Sequence, residues 1–247
     1  MSMLRADELL SSPVVANATM NRGRGISGVN SYERDLRFSL MDFLAGRVRE
    51  RGKAFWYDAC CGEGRALVEA GTRFAAAEWG RQVQIVGVDL VGMFTPEQVP
   101  NCTLTAANVA AFTLEEPADL ITCVHGLHYL GDKLGFLRHA HAMLAPGGLL
   151  LAHLDPDNLR ASGAGASIWR QAVRHAAKGG VAVDFKGHVL RIARTEAPLN
   201  FGLTFQGAPA CAPFLLRPSF LLRPSFLLPA FRASFLFLAR EGGGLPF

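Results

Sequence analysis

Apolar positions change their period along the chain. From Tyr32 to Val48 they recur every four residues, at Leu36, Leu40, Leu44 and Val48, which draws one stripe along a single helix. Ser31 stands where that helix would be capped. Compact apolar runs then take over: AFWYDA (54–59), QIVGVDL (84–90), TLTAAN (103–108), LITCVHG (120–126) and LLLAHL (149–154). Each has the length of a buried strand, and the RALVEAGTRFAAAEW and DKLGFLRHAHAML segments between them are long enough for crossover helices. Such alternation predicts an α/β fold built on a doubly wound, mostly parallel sheet. HVLRIAR and LNFGLTFQ, joined by TEAP, predict a terminal pair of strands with antiparallel character.

The two ends depart from this pattern. Residues 1–30 are rich in Ser, Asn and Gly and predict a flexible lead-in, with the folded domain running from 31 to 207. At the other end, LLRPSF occupies 215–220, repeats at 221–226 and decays into LLPAFRASFLFLAR. Residues 208–247 therefore form a low-complexity tail in which repeated prolines oppose a regular helix or strand. Arg217, Arg223 and Arg232 interrupt its apolar stretch and exclude a transmembrane span, leaving membrane contact by the tail as a weaker alternative.

Composition narrows the class. With 247 residues, half of them hydrophobic and 19% charged, the chain suits one catalytic-sized domain. Without the tail's four arginines and Glu241, the formal charge of +4 falls to +1, so the body lacks the basic excess that a nucleic-acid partner requires. Five cysteines, with no CxxC pair, point to neither a disulfide framework nor a metal site. A reducing cytoplasm is the expected setting, and no apolar segment near the N-terminus has the length of a signal peptide.

A parallel sheet binds ligands at the carboxyl ends of its strands, so the residues after each apolar run carry the chemistry. After the first run, Asp58 leads into Cys60, Gly62 and Gly64, a turn tight enough for backbone to approach a ligand at the start of the helix beginning at Arg65. The second ends in Asp89 and Leu90, where a carboxylate can accept from both hydroxyls of a ribose. The third ends in Asn108 and Val109, suited to an adenine through a side-chain oxygen and a backbone N–H. The fourth leads to His125 and His128, the candidate catalytic groups, and the fifth to His153, Asp155 and Asp157, which either touch substrate or cap a following helix.

YDACCGEG resembles the glycine loop of class I S-adenosylmethionine (SAM) dependent methyltransferases, VDL their ribose-binding acid, ADLITCVHGLHYLGD their fourth strand and following loop, and MLAPGGLLLAHL their lead into the fifth. The resemblance covers roughly residues 30–206 and implies a seven-stranded, Rossmann-like sheet with SAM as cofactor. It implies cofactor contacts from Tyr32, Asp58, Cys60, Gly62, Gly64, Asp89, Leu90, Asn108, Val109 and His125, with NSYERDL, including Asn30 and Tyr32, as a lid. Cys60 departs from the family at a position that is commonly glycine, and Asn108 at one that is commonly aspartate.

The implied reaction is attack by an O, N, S or carbon nucleophile on the sulfonium methyl, with a base required only where the nucleophile arrives protonated. Residues 157–186, with Ile168, Trp169 and Val173 after an ASGAG hinge, predict a helical cover suited to a moderately apolar small molecule of the natural-product kind, with a modified peptide as the alternative acceptor. A nicotinamide dehydrogenase fits poorly, since counting from Gly62 gives GEGRAL, with Leu67 where a third glycine belongs. A non-catalytic SAM-binding regulator is the remaining alternative.

Overall fold

In a computed structural model, residues 3–4, 23–77, 79, 81–161, 168–209 and 235–239 are described. The strands, in chain order, are β1 (Met3–Leu4), β2 (Ala54–Ala59), β3 (Val83–Asp89), β4 (Cys102–Ala106), β5 (Ala118–Cys123), β6 (Leu144–His153), β7 (Leu159–Ala161), β8 (Asp184–Lys186), β9 (Val189–Ala193), β10 (Leu203–Pro209) and β11 (Phe235–Ala239). Seven of them form one sheet in the order β4-β3-β2-β5-β6-β9-β8. The first five run parallel; β9 is antiparallel to β6, and β8 antiparallel to β9. Every residue of β2 and β5 is buried, which is why both read as unbroken apolar runs rather than alternating ones.

Among the described residues five α-helices cover the two faces: α1 (Tyr32–Leu36), α2 (Leu40–Arg51), α3 (Arg65–Ala76), α4 (Lys133–Ala142) and α5 (Ile168–Lys178). Neighbouring side chains on a strand leave by opposite faces. Trp56 therefore joins a core built with Leu36, Leu44 and Leu67, and Tyr57 joins another built with Phe136, Leu137 and Trp169. The sheet is thus doubly wound, as expected.

The stripe from Leu36 to Val48 is buried throughout, but it spans two helices and not one. Arg37 turns left-handed (φ 50°), and Ser39 restarts the chain by accepting from the Asp42 N–H at 3.4 Å. A serine that satisfies a first-turn donor competes with helix continuation, so the local cap overrides the apolar period. Packing also starts before Ser31, with Ile26 fully buried and its N–H donating to Glu69 Oε2 at 2.8 Å.

Two strand expectations need correction. β9 does not pair with the LNFGLTFQ strand. Its hairpin partner is β8, joined to it through Gly187 and His188, both left-handed (φ 57° and 67°), the geometry of a two-residue type I′ turn. β10 instead enters a second sheet of order β1-β10-β11-β7. The tail, expected to hold no strand, supplies β11, antiparallel to β10 and parallel to β7. β11 lies in the proline-free stretch between Pro229 and Pro246, where the objection from proline lapses. The LLRPSF repeats and residues 162–165 of the expected hinge lie outside the described residues.

Candidate functional site

Strand order reverses between β2 and β5, and an open sheet of this kind takes its ligand in the crevice at the carboxyl ends of the strands beside that switch point. The loop after β2 enters it through three left-handed residues, Cys60 (φ 60°), Gly62 (φ 60°) and Gly64 (φ 74°). Gly64 caps α3, and a Cβ there would come within 2.6 Å of the Leu104 side chain. Asp89 ties this loop to the end of β3: its Oδ2 accepts from the Gly62 N–H at 3.0 Å and its Oδ1 from the Val91 N–H at 3.1 Å. Each oxygen keeps a second lone pair.

Asp58 lies beneath the loop, with no solvent exposure. Its Oδ2 accepts from Tyr32 Oη at 2.8 Å and its Oδ1 from the Thr122 hydroxyl, which in turn accepts from Trp56 Nε1 at 2.8 Å. Burial raises the Asp58 pKa to about 7; the Thr122 and Tyr32 hydrogen bonds hold it down against that trend, and the Asp89 charge adds to it. The Tyr32 ring, edge-on to Trp56 at 6.3 Å, thereby fastens the α1 segment to the floor of the crevice.

Asn108 Oδ1 accepts from the Ala110 N–H at 3.0 Å and shapes its own turn, with Val109 buried behind it and Leu90 half-buried after Asp89. Asn30 is exposed and takes part through its carbonyl, which accepts from the Gly25 N–H.

On the other side of the crevice three imidazoles converge. His125 is left-handed (φ 55°), its Nε2 lies 3.1 Å from Asp35 Oδ2, and its ring stacks on His153 at 4.0 Å and 14°. His153 Nε2 lies 3.2 Å from the Asp35 carbonyl oxygen. His128 Nδ1 lies 3.1 Å from Asn158 Nδ2, and since an amide nitrogen donates only, Nδ1 accepts and Nε2 carries the proton. Burial pushes the pKa of His128 and of His153 down to about 3, with neighbouring positive charge adding to the effect, so both are neutral at physiological pH. Asp155 accepts from the Asp157 N–H at 3.1 Å, which makes it a turn cap.

The pattern of apolar residues did not disclose Asp35, Arg24, Thr122 or Gly126. Thr122 carried a signal, a hydroxyl inside the otherwise apolar LITCV run, where a buried donor demands a partner. Asp35 carried none, since an acid among YERD reads as solvated helix surface. Ile168 and Trp169 belong to the core rather than to an acceptor lining: Trp169 packs on Phe185 at 5.3 Å and Phe201 at 6.1 Å. Hydrogen bonding to Cys123 and burial push the Cys60 thiol up, and burial does the same to Cys61, so neither is a ready nucleophile.

Among the described residues no helix is long and apolar enough to cross a membrane. No curated protein matches the chain. Similar solved structures include a SAM-bound amino pentose methyltransferase from Micromonospora echinaspora, involved in calicheamicin biosynthesis, at 23% identity over 57% of this chain and 56% of that one (TM-score 0.39). A plantazolicin methyltransferase in complex with a desmethyl analogue and S-adenosylhomocysteine is 12% identical over 45% of this chain and 44% of that one (TM-score 0.37). A SAM-bound magnesium protoporphyrin IX methyltransferase from Synechocystis PCC 6803 is 15% identical over 77% and 95% (TM-score 0.44). The chain thus spans about half the length of the first two. A methyltransferase-domain family matches residues 31–182, more than half of the sequence, and the chain belongs to that family.

Proposed function

We propose that the crevice binds SAM and that the protein transfers its methyl group to a small-molecule acceptor. The observation that carries this reading is the bond from Gly62 N–H to Asp89, which fixes a left-handed glycine loop and a carboxylate in one rigid unit. The residues fit the cofactor. The amino end of the twelve-residue α3 suits its carboxylate, the remaining lone pairs of Asp89 suit the ribose hydroxyls, and Val109 offers an apolar contact beside an adenine. A Cβ at Gly64 would run into the Leu104 side chain, so the turn that starts α3 keeps its path only with glycine there.

When bound, SAM supplies an activated methyl on a sulfonium. The protein's part is to align and desolvate the acceptor and, where needed, to take up its proton. His125 is the candidate for that uptake. His128, neutral and with its proton on Nε2, serves better as a hydrogen-bond donor to the acceptor than as a base. Asp58 and Tyr32 act from below and beside the cofactor by setting the loop and closing α1 over it. A body close to neutral and the uncharged imidazoles of His128 and His153 suit a small neutral acceptor.

Titration calorimetry of the full chain with SAM and with S-adenosylhomocysteine tests the assignment. Both should bind, and Asp89→Asn should weaken SAM by about tenfold or more, since a charge-assisted hydrogen bond contributes about 1.5–3 kcal/mol. Absence of binding by the parent chain would overturn it.

A further inference from the structure

On the imidazole side of the crevice two short turns face each other, one after β5 and one after β6. The first, Leu127–Tyr129, is seated by the fully buried Leu127 and by the Tyr129 N–H, which donates to the Gly126 carbonyl at 3.0 Å. The second, Pro156–Asn158, begins on a proline whose ring fixes φ and is closed by the Asn158 N–H, which donates to the Asp155 carbonyl at 3.1 Å. Buried Leu159 then leads into β7. Both turns are held, so the contact between their side chains, Asn158 Nδ2 to His128 Nδ1 at 3.1 Å, is a fixed one.

That contact decides the chemistry of the ring. An amide nitrogen donates and never accepts, so Nδ1 gives its lone pair and the ring proton stands on Nε2. Burial, with the Lys133 charge next, holds the His128 pKa down to about 3, so Nδ1 gains no proton at physiological pH. The ring is half-buried, and Nε2 is neither bonded to a described residue nor sealed from solvent. A bound molecule thus meets a single N–H donor with no accepting edge beside it. A hydroxyl can rotate to suit either tautomer, whereas an oxygen that only accepts suits this one alone.

We propose that Asn158 is a positioning residue that holds His128 as a donor through Nε2, and that the methyl acceptor carries a carbonyl-type oxygen, which only accepts, to receive that bond. This rests on the reading of the protein as a SAM-dependent methyltransferase. The oxygen is a recognition group and not the atom methylated; His128 binds it and takes no proton. A site whose burial keeps an imidazole uncharged makes a carboxylate costly as well, so a ketone or ester oxygen is favoured.

The test uses the full chain and Asn158→Asp, both saturated with S-adenosylhomocysteine at about pH 8, where burial keeps the ring neutral even beside an added carboxylate. Nitrogen-15 shifts read the tautomer, the His128 signals being identified by their loss in His128→Gln. The parent should hold the proton on Nε2. In Asn158→Asp the carboxylate only accepts, so the proton should move to Nδ1, which an asparagine with a merely structural role would not bring about. Phenols matched in size and carrying an acetyl, a carboxylate or an ethyl group then probe the acceptor. The acetyl phenol should perturb the Nε2 signal and bind the parent about fivefold to tenfold more tightly than the ethyl phenol, the scale of one neutral hydrogen bond, and Asn158→Asp should abolish that advantage. A parent with its proton on Nδ1, or a tautomer that Asn158→Asp does not change, overturns the role of Asn158. An acetyl phenol that binds no better than the ethyl one or leaves Nε2 undisturbed overturns the ketone or ester assignment, and an equal failure of the carboxylate overturns the carbonyl-type oxygen altogether. Failure of the parent to bind S-adenosylhomocysteine by calorimetry would instead strike at the methyltransferase reading, and the tautomers of the unliganded parent and variant would then judge Asn158 by themselves.

Discussion

Asp58 offers a quantitative test of how the floor of the crevice is built. Its pKa rises from 3.8 to about 7 because burial penalises the carboxylate more than Thr122 and Tyr32 stabilise it. The folded state therefore holds a proton that the unfolded chain has lost between those two values. Stability from this group is complete below pH 3.8 and is lost as pH rises through 7. At about 1.36 kcal/mol per pH unit, the loss amounts to about 1.5 kcal/mol at pH 5 and about 4 kcal/mol at pH 8. Asp58→Asn keeps the volume and can still accept from Tyr32 while donating to Thr122, but has nothing to ionise. The stability difference between the Asp58→Asn variant and the parent should thus shift in the variant's favour by about 2.5 kcal/mol between pH 5 and pH 8. Urea denaturation of both chains at intermediate pH values measures it. A difference that stays constant across that range would show that Asp58 is already ionised at pH 5 and would refute the argument. The same linkage predicts that cationic SAM, by favouring the carboxylate, releases a proton on binding near pH 7, read as a buffer-dependent binding enthalpy.

Three further outcomes follow from separate contacts. Tyr32→Phe removes the bond that fastens α1 to Asp58 and should weaken SAM binding by about tenfold while leaving the fold intact, as read by calorimetry and circular dichroism. Asp119 accepts from the Phe55 N–H and pairs with Arg47 and Arg51 away from the crevice, so Asp119→Ala should cost about 3 kcal/mol in urea denaturation, with SAM affinity of the folded protein unchanged. A Cβ at Gly126 would overlap that of Cys60 and lie 2.9 Å from its sulfur, so Gly126→Ala should impair SAM binding, and adding Cys60→Gly should restore it; a double variant no better than the single one would mean the loop is not held by this contact.

Much of the fold was legible because burial on both faces leaves a plain mark. β2 and β5, buried throughout, read as continuous apolar runs, and the helices between them exceed strand length. Legibility failed where a local device decided the outcome. Ser39 ends one helix and starts another within an unbroken stripe, and Gly187–His188 makes a hairpin that a search for longer links passes over. β10 and β11 show a different limit: which strand a strand pairs with depends on where the rest of the chain runs, and nothing in LNFGLTFQ specifies that.

The candidate site divides along the same line. Residues whose role follows from backbone conformation, such as Gly62 and Gly64, announce themselves, because positive φ at a sharp strand-to-helix turn leaves few alternatives to glycine. Cys60 is the instructive case. It shares their left-handed conformation, at a cost of about 1–2 kcal/mol for a side chain there. The cysteine is accommodated because Gly126, on the loop after β5, leaves the space its Cβ needs. Side-chain bulk has been conceded at one edge of the crevice by its absence at the other, and the loop keeps its path. Asp35 has no such backbone signature. Its carboxylate meets a distant histidine, and only the folded chain brings the two together.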